Sequence, residues 1–399
     1  MMIQFAQRME HLRPSEIREM LKVTEDEAII SLAGGNPAPE LFPVSAMAAT
    51  TQAVLEEAGG QALQYSTTEG FAPLRAQIAE RMNRKFKTAF AARNILITNG
   101  SQQGLDLSGK VFLNEGDAVL CEKPMYLAAI NAFRVFRPRF VEVPTDSEGM
   151  ITAELERLLA TTDRLKLVYV VPDFQNPTGI SWSAERRRQF MDAVSRYDIA
   201  VIEDNPYGEL RYEGELLPSL KSMDRKGQVI CFGTFSKTFC PGLRVGWVAA
   251  EESILEKYIL VKQSADLHTS SLSQRTISKF LDSYDFDANV EIIKATYKKR
   301  RDIMLRCMAK EFPAEIRYTQ PHGGLFIWVE LPSCLNARDI LTVCLEHQVA
   351  FVPGGAFFPN GGMENTMRLN FSNMTEERIA EGIRRLGKVL RQMLNPAAH

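Results

Sequence analysis

A lysine, Lys237, stands just past the apolar run QVICFGTF (228–235), within GTFSKTFCPGLRVG, with Ser236 before it and Arg244 downstream. Lysine is rarely buried without a partner, so its ammonium either reaches solvent or meets something specific; as a free amine it attacks carbonyl carbon. Asp204 closes a second run, IAVIED (199–204), and Tyr207 follows. An acid there is often only a helix cap or loop former, yet burial beside apolar neighbours requires a cationic partner. After LKLVYVVP (165–172) comes DFQNPTG, whose Asn176 precedes a proline and which reads equally well as a turn. After AVLCE (118–122) comes KPMY, ending in Tyr126, which could equally be a half-buried loop tyrosine. After NILIT (94–98) comes NGSQQG (99–104). There glycines, Ser101 and the free amides of a helix start form an anion site, although small polar residues also cap most helices.

One molecule carrying an aldehyde, a basic ring nitrogen and a phosphate would satisfy all of these groups. Lys237 would condense with the aldehyde. Asp204 would keep the ring nitrogen protonated, making the ring an electron sink, and Ser101, Ser236 and Arg244 would remain for the phosphate. Pyridoxal 5'-phosphate is that molecule. Each charge-assisted hydrogen bond contributes roughly 1.5–3 kcal/mol, while an isolated buried ion costs several, so burying Asp204, Lys237 and Arg244 without such a ligand is the costlier arrangement.

The elements that must position these residues read as α/β wiring. Short apolar runs, those above together with VGWVAA (245–250), alternate with helical patterns, and continuous apolar runs mark strands of a mostly parallel sheet covered on both faces. Ligands of such sheets sit beyond the carboxyl ends of the strands, where the polar residues converge. In SAERRRQFMDAVSRY (183–197) charges take one face and Phe190, Met191, Val194 and Tyr197 the other, as a helix on the sheet requires. Beyond about residue 285 the texture changes to a long charged helix (290–312), GGLFIWVEL (323–331), a helix near 336–347, VAFVPG (349–354), MRLNF (367–371) and a last helix (376–393). At 399 residues two domains are expected: a large one over 46–285, and a smaller α+β one built from 1–45 and 286–399.

A net charge of -2 gives no electrostatic reason to expect nucleic acid or an anionic membrane as partner. The amino terminus lacks the hydrophobic core of a secretory signal and no apolar stretch is long enough for a transmembrane helix. Six scattered cysteines without a C-x-x-C pair, and no H-E-x-x-H, point to cytoplasmic thiols and no metal site.

Asn176-Pro177-Thr178-Gly179, Asp204-Asn205-Pro206-Tyr207, Ser236-Lys237 and Arg244-Val245-Gly246, in that order, with Arg368 in MRLNF far downstream, resemble the class I and II aminotransferases of fold type I. The resemblance runs from the GGNP loop to Arg368 and implies a large domain with a mostly parallel sheet plus a smaller α+β domain. It implies Lys237 as the Schiff-base lysine and proton shuttle, Asp204 as partner of the pyridine nitrogen, and Tyr207 and Asn176 on the ring's 3-hydroxyl. Tyr126 would stack on the ring. Ser101, Gln102, Ser236 and Arg244 would hold the phosphate, and Tyr65 in QYSTTEG would reach it from the other subunit of a homodimer. Arg368, otherwise a surface strand arginine, would clamp the substrate α-carboxylate with a two-pronged contact.

SLAGGNPAPELFP (31–43) and VPGGAFFPNGGMENTMRL (352–369) resemble the branch of 2-aminoadipate, kynurenine and aromatic aminotransferases, whose N-terminal helix is a mobile lid. That places Ser15 and Arg18 near the side-chain pocket and Gly35 over the carboxylate; Arg18 is otherwise a solvated helix charge, and Asn36 stands where this branch has leucine. The implied reaction passes the amino group of an aromatic, 2-aminoadipate or large apolar amino acid to 2-oxoglutarate by ping-pong kinetics. Elimination, racemisation or decarboxylation on the same fold is the alternative. A non-catalytic sensor is the remote one, since no basic recognition helix precedes GGNP.

Overall fold

The computed structural model describes residues 3–11, 26 and 28–394. Its central sheet has eight strands in the order Ile95–Thr98, Gly246–Ala249, Val229–Thr234, Ala200–Asp204, Leu165–Val170, Ala118–Lys123, Arg139–Asp146 and Gly149–Met150. The central members run parallel, from Val229–Thr234 through to Arg139–Asp146. Gly246–Ala249 runs antiparallel to both of its neighbours. Residues 235–245 hold no more than the short 3-10 turn Pro241–Leu243, too little chain for the crossover that a parallel return needs. The reversed strand therefore starts at the edge where the others end, which carries Arg244 to the same rim as Lys237.

Successive side chains of a strand point to opposite faces, and here both faces are buried. Leu96, Val119, Cys121, Leu167, Tyr169, Ile202, Ile230, Phe232 and Val248 enter one core, and their neighbours Ile95, Leu120, Val168, Val201, Val229, Cys231 and Trp247 enter the other. Two buried faces are why the runs read as continuously apolar. Arg139–Asp146 is not among the expected strands: only Val143 of its RFVEVPTD is buried, so its sequence lacks that signal.

Helix Ala184–Val194 covers the second core with Phe190, Met191 and Val194, its start capped by the Ser183 hydroxyl, which accepts from Arg186 N at 3.1 Å. The polar face is not wholly solvated, because Arg187 is fully buried against Asp173 at 2.7 Å. The long helix begins earlier than the sequence pattern suggests, at Phe286, because Asp285 accepts from Ala288 N at 2.9 Å as its cap. It runs to Glu311 and packs on Glu376–Leu394. A second, antiparallel sheet orders Arg317–Tyr318, Phe326–Glu330, Thr366–Asn370 and Val352–Pro353, and Ile30–Ser31 pairs in parallel with Val349–Ala350. Among the described residues no helix is long and apolar enough to cross a membrane, and no group of three acid, cysteine or histidine side chains is placed to hold a metal ion.

Candidate active site

A cavity of about 530 Å³ opens beyond the carboxyl ends of the parallel strands. Ser101, Gln102, Tyr126, Asn176, Asp204, Tyr207, Ser236, Lys237 and Arg244 all line it, brought together from five separate loops. Its volume lies in the usual range of cofactor sites.

Asp204 ends its strand on the same face as Ile202 and Tyr169. It is buried, and one carboxylate oxygen, Oδ2, accepts from the Tyr169 hydroxyl at 2.8 Å. The other, Oδ1, is buried with no partner. Burial pushes this carboxyl up to about 6, the Tyr169 bond opposing it. Such an oxygen at a cavity wall is what a cationic ring nitrogen would satisfy.

Lys237 is half-buried at the wall, its Nζ donating to the carbonyl of Gly35 at 2.9 Å. Desolvation, with the guanidinium charges of Arg368 and Arg244, pushes its ammonium down to about 8. About a tenth of the amine is therefore free at pH 7, far more than for an ordinary lysine, as condensation with an aldehyde requires. Burial pushes the hydroxyls of Tyr126, to about 12, and Tyr207 upward, so both remain protonated donors. Asn176 and Tyr207 line the cavity together.

One wall of the cavity is built for an anion. Helix Ser101–Phe112 starts there with Gly100 as its cap, Gln103 N donating back to the Gly100 carbonyl at 3.2 Å, and the amides of Ser101 and Gln102 have no intrahelical acceptor. Gly100 has φ 69, and a Cβ on it would lie 2.6 Å from Arg244 Nη2; one on Gly246 would lie 2.7 Å from Gly100 C and Ser101 N. Glycine at both positions lets the arginine and the helix start close on one another. Ser236 adds a hydroxyl that accepts from Thr234 Oγ1 at 2.9 Å. An acid, an amine and an anion cup in one cavity match pyridoxal phosphate in donor chemistry as well as size.

Three expected residues do not line the cavity. Gly35 borders it through the carbonyl that holds Lys237. Arg368 lies behind Asn176, its Nη1 donating to Asn176 Oδ1 at 2.7 Å and its Nη2 to the Ala33 carbonyl at 2.6 Å, with the guanidinium 4.2 Å from the Phe326 ring centre and 5.2 Å from that of Phe357. It is 1% exposed, and its Nε has no partner. Tyr65 is 79% exposed, away from the cavity and edge-on to His268. Ser15 and Arg18 lie outside the described residues.

Sequence reasoning missed Tyr169, whose hydroxyl is, beside exposed Lys166, the other polar side-chain group of LKLVYVVP, and the phenylalanine rings beside Arg368, hidden in GGLFIWVEL and GGAFF. It also missed the wall formed by Asn36, Pro37, Pro39, Phe42 and Asn373.

A family model described as aminotransferase class I and II matches residues 27–386. The chain is 43% identical over 392 residues to aromatic-amino-acid aminotransferase 1 of Thermococcus litoralis, covering 97% of this chain and 94% of that protein. It is 45% identical over 386 residues to 2-aminoadipate transaminase of Thermus thermophilus, covering 96% and 95%. The crystal structure of Pyrococcus horikoshii kynurenine aminotransferase, in complex with PMP, superposes with a TM-score of 0.94 at 40% identity, covering 98% and 97% of the two chains.

Proposed function

The chain belongs to the class I and II aminotransferases and is a pyridoxal-phosphate-dependent enzyme, and from that premise we propose that it moves the amino group of an aromatic, 2-aminoadipate or large apolar amino acid to 2-oxoglutarate, the two substrates using one cavity in turn. The observation that carries this is the Lys237 amine in the same cavity as Asp204 Oδ1, a buried oxygen without a partner. When bound, pyridoxal phosphate supplies an aldehyde for the amino group and a ring that accepts electrons.

The side chains would divide the work as follows. Asp204 holds the proton on the ring nitrogen. Lys237, with its amine lowered to about 8, both anchors the aldehyde carbon and carries the proton to and from the substrate Cα. Tyr207 and Asn176 donate to the ring oxygen, and Tyr126 covers the ring face, a contact of about 0.5–1.5 kcal/mol. Ser101, Gln102, Ser236 and Arg244 take the phosphate. Arg368 takes the substrate α-carboxylate by giving up the Ala33 carbonyl, with Gly35 closing above and Ser15 and Arg18 serving the side-chain lid. Tyr65 is exposed on its own chain, as a residue reaching the partner's phosphate in a homodimer would be. The division into 46–285 and 1–45 with 286–399 would let the smaller part move against the larger as substrate enters.

The test is a steady-state screen of acidic, aromatic and branched donors with and without 2-oxoglutarate. Glutamate formed only with the acceptor, with parallel double-reciprocal lines, is expected. Ammonia or pyruvate released without an acceptor would assign the chain to elimination instead. Borohydride reduction of the holoenzyme should label the peptide containing Lys237.

A further inference from the structure

A second lysine sits behind the anion cup. Lys262, in the helix Glu252–Asp266, is buried with 0% of its side chain exposed. Its Nζ donates to both oxygens of Asp266 at 2.8 Å, to Gln103 Oε1 at 3.1 Å and to Thr269 Oγ1 at 3.2 Å. Asp266 Oδ2 accepts in turn from Gln103 Nε2 at 2.7 Å and from Asn99 Nδ2, and Gln103 Oε1 accepts from Asn99 N at 2.9 Å. Asn99 directly precedes Gly100 and Ser101, and its carbonyl accepts from Arg244 Nη2 at 3.4 Å.

A lysine this buried is found paired, as here, yet replacing such a pair by apolar groups is often neutral or stabilising. The cluster does more than close the end of its own helix. Through Asn99 and Gln103 it fixes the backbone on both sides of Gly100–Ser101, the start of the anion-binding helix. Asp266 is the acceptor that ties these two side chains together, but a carboxylate one side chain away from a phosphate dianion repels it. Lys262 removes that repulsion while leaving the acceptor in place.

We propose that Lys262 is a positioning residue for the cofactor phosphate: it neutralises Asp266, so that the carboxylate can hold Asn99 and Gln103 around the cup without opposing a dianion. The inference rests on the assignment of the cavity to pyridoxal phosphate.

Its test uses the full-length protein stripped of cofactor and titrated with pyridoxal phosphate and, separately, with pyridoxal, which has no phosphate. K262M leaves a bare carboxylate behind the cup. The loss of one charge-assisted contact corresponds to about tenfold or more in Kd for pyridoxal phosphate, with pyridoxal changed by no more than about twofold. K262M/D266N removes the carboxylate too and should regain most of the loss. A general packing defect would weaken both vitamers alike and would not be rescued. An unchanged Kd for pyridoxal phosphate in folded K262M, equal weakening of both vitamers, or a double variant no better than the single would each overturn the proposal. Should K262M not fold, K262Q keeps a hydrogen-bond donor beside Asp266 without the charge, and must show the same phosphate-selective loss. Wild-type protein that binds neither vitamer would instead sink the cofactor assignment itself.

Discussion

Replacing Asp204 with asparagine separates the cost of burying this carboxylate from everything else in the site. The free carboxyl titrates near 4, and burial raises it to about 6 in the folded chain. Between those values the folded protein holds more protons than the unfolded one, so stability falls as pH rises and the whole cost is present above about pH 6. Two pH decades at about 1.4 kcal/mol each come to about 3 kcal/mol. About 2 kcal/mol of it develops between pH 4.5 and 8. The asparagine amide brings its own constant penalty where Oδ1 has no partner, about 1–3 kcal/mol, and this cancels when only the pH dependence is read. Urea unfolding of cofactor-free wild type and D204N, followed by tryptophan fluorescence across that range, is the assay. The stability difference should move in the variant's favour by about 2 kcal/mol on going from pH 4.5 to 8. Saturating wild type with pyridoxal phosphate should remove the dependence, because a cationic ring nitrogen restores the carboxylate to its ionised form. A difference that stays flat with pH, or moves the other way, would show that this acid is not held against burial.

Further outcomes follow from single contacts. R368K cannot reproduce a two-pronged guanidinium contact, and the loss of about 3 kcal/mol or more should lower kcat/KM about 100-fold or more with the cofactor still bound. R187M leaves Asp173, 2% exposed, with only Arg211 at 3.5 Å as cation; a stability loss of about 3 kcal/mol should appear as a lower unfolding temperature. G246A pushes a methyl against the backbone of Gly100 and Ser101, so it should release pyridoxal phosphate faster on dialysis, and G246S no less so.

The chemistry was legible because each reactive residue follows its own strand: Asp204, Lys237 and Asn176 could be placed at one rim from the α/β rule alone. What stayed hidden depends on direction and distance. An apolar run does not say which way it points, so the reversal of Gly246–Ala249 could not be read from VGWVAA. The two bonds of Arg368 join residues 192 and 335 positions apart, a separation at which local pattern says nothing. Arg187 lay in the charged stripe of its helix, yet the helix turns that one guanidinium inward to Asp173. Lys262 likewise passes for an ordinary helix charge in EKYILVKQSAD, and its surroundings are set by Asn99 and Gln103 from another part of the chain.

Glu203 and Asp204 are neighbours in one strand, both buried, both acids, and they live on opposite sides of it. Glu203 accepts from the Ser219 hydroxyl and from Leu220 N at 2.9 Å, while Asp204 meets Tyr169 and the cavity. Odd and even positions along the strand thus act as an address. A one-residue slip turns every side chain of a strand to its other face: an insertion upstream would bring Glu203 to the place of Asp204 and Ile202 to Ser219, and a deletion would bring Asp204 to Ser219 and Asn205 to the cavity. In this fold the identity of the reactive acid is decided by counting.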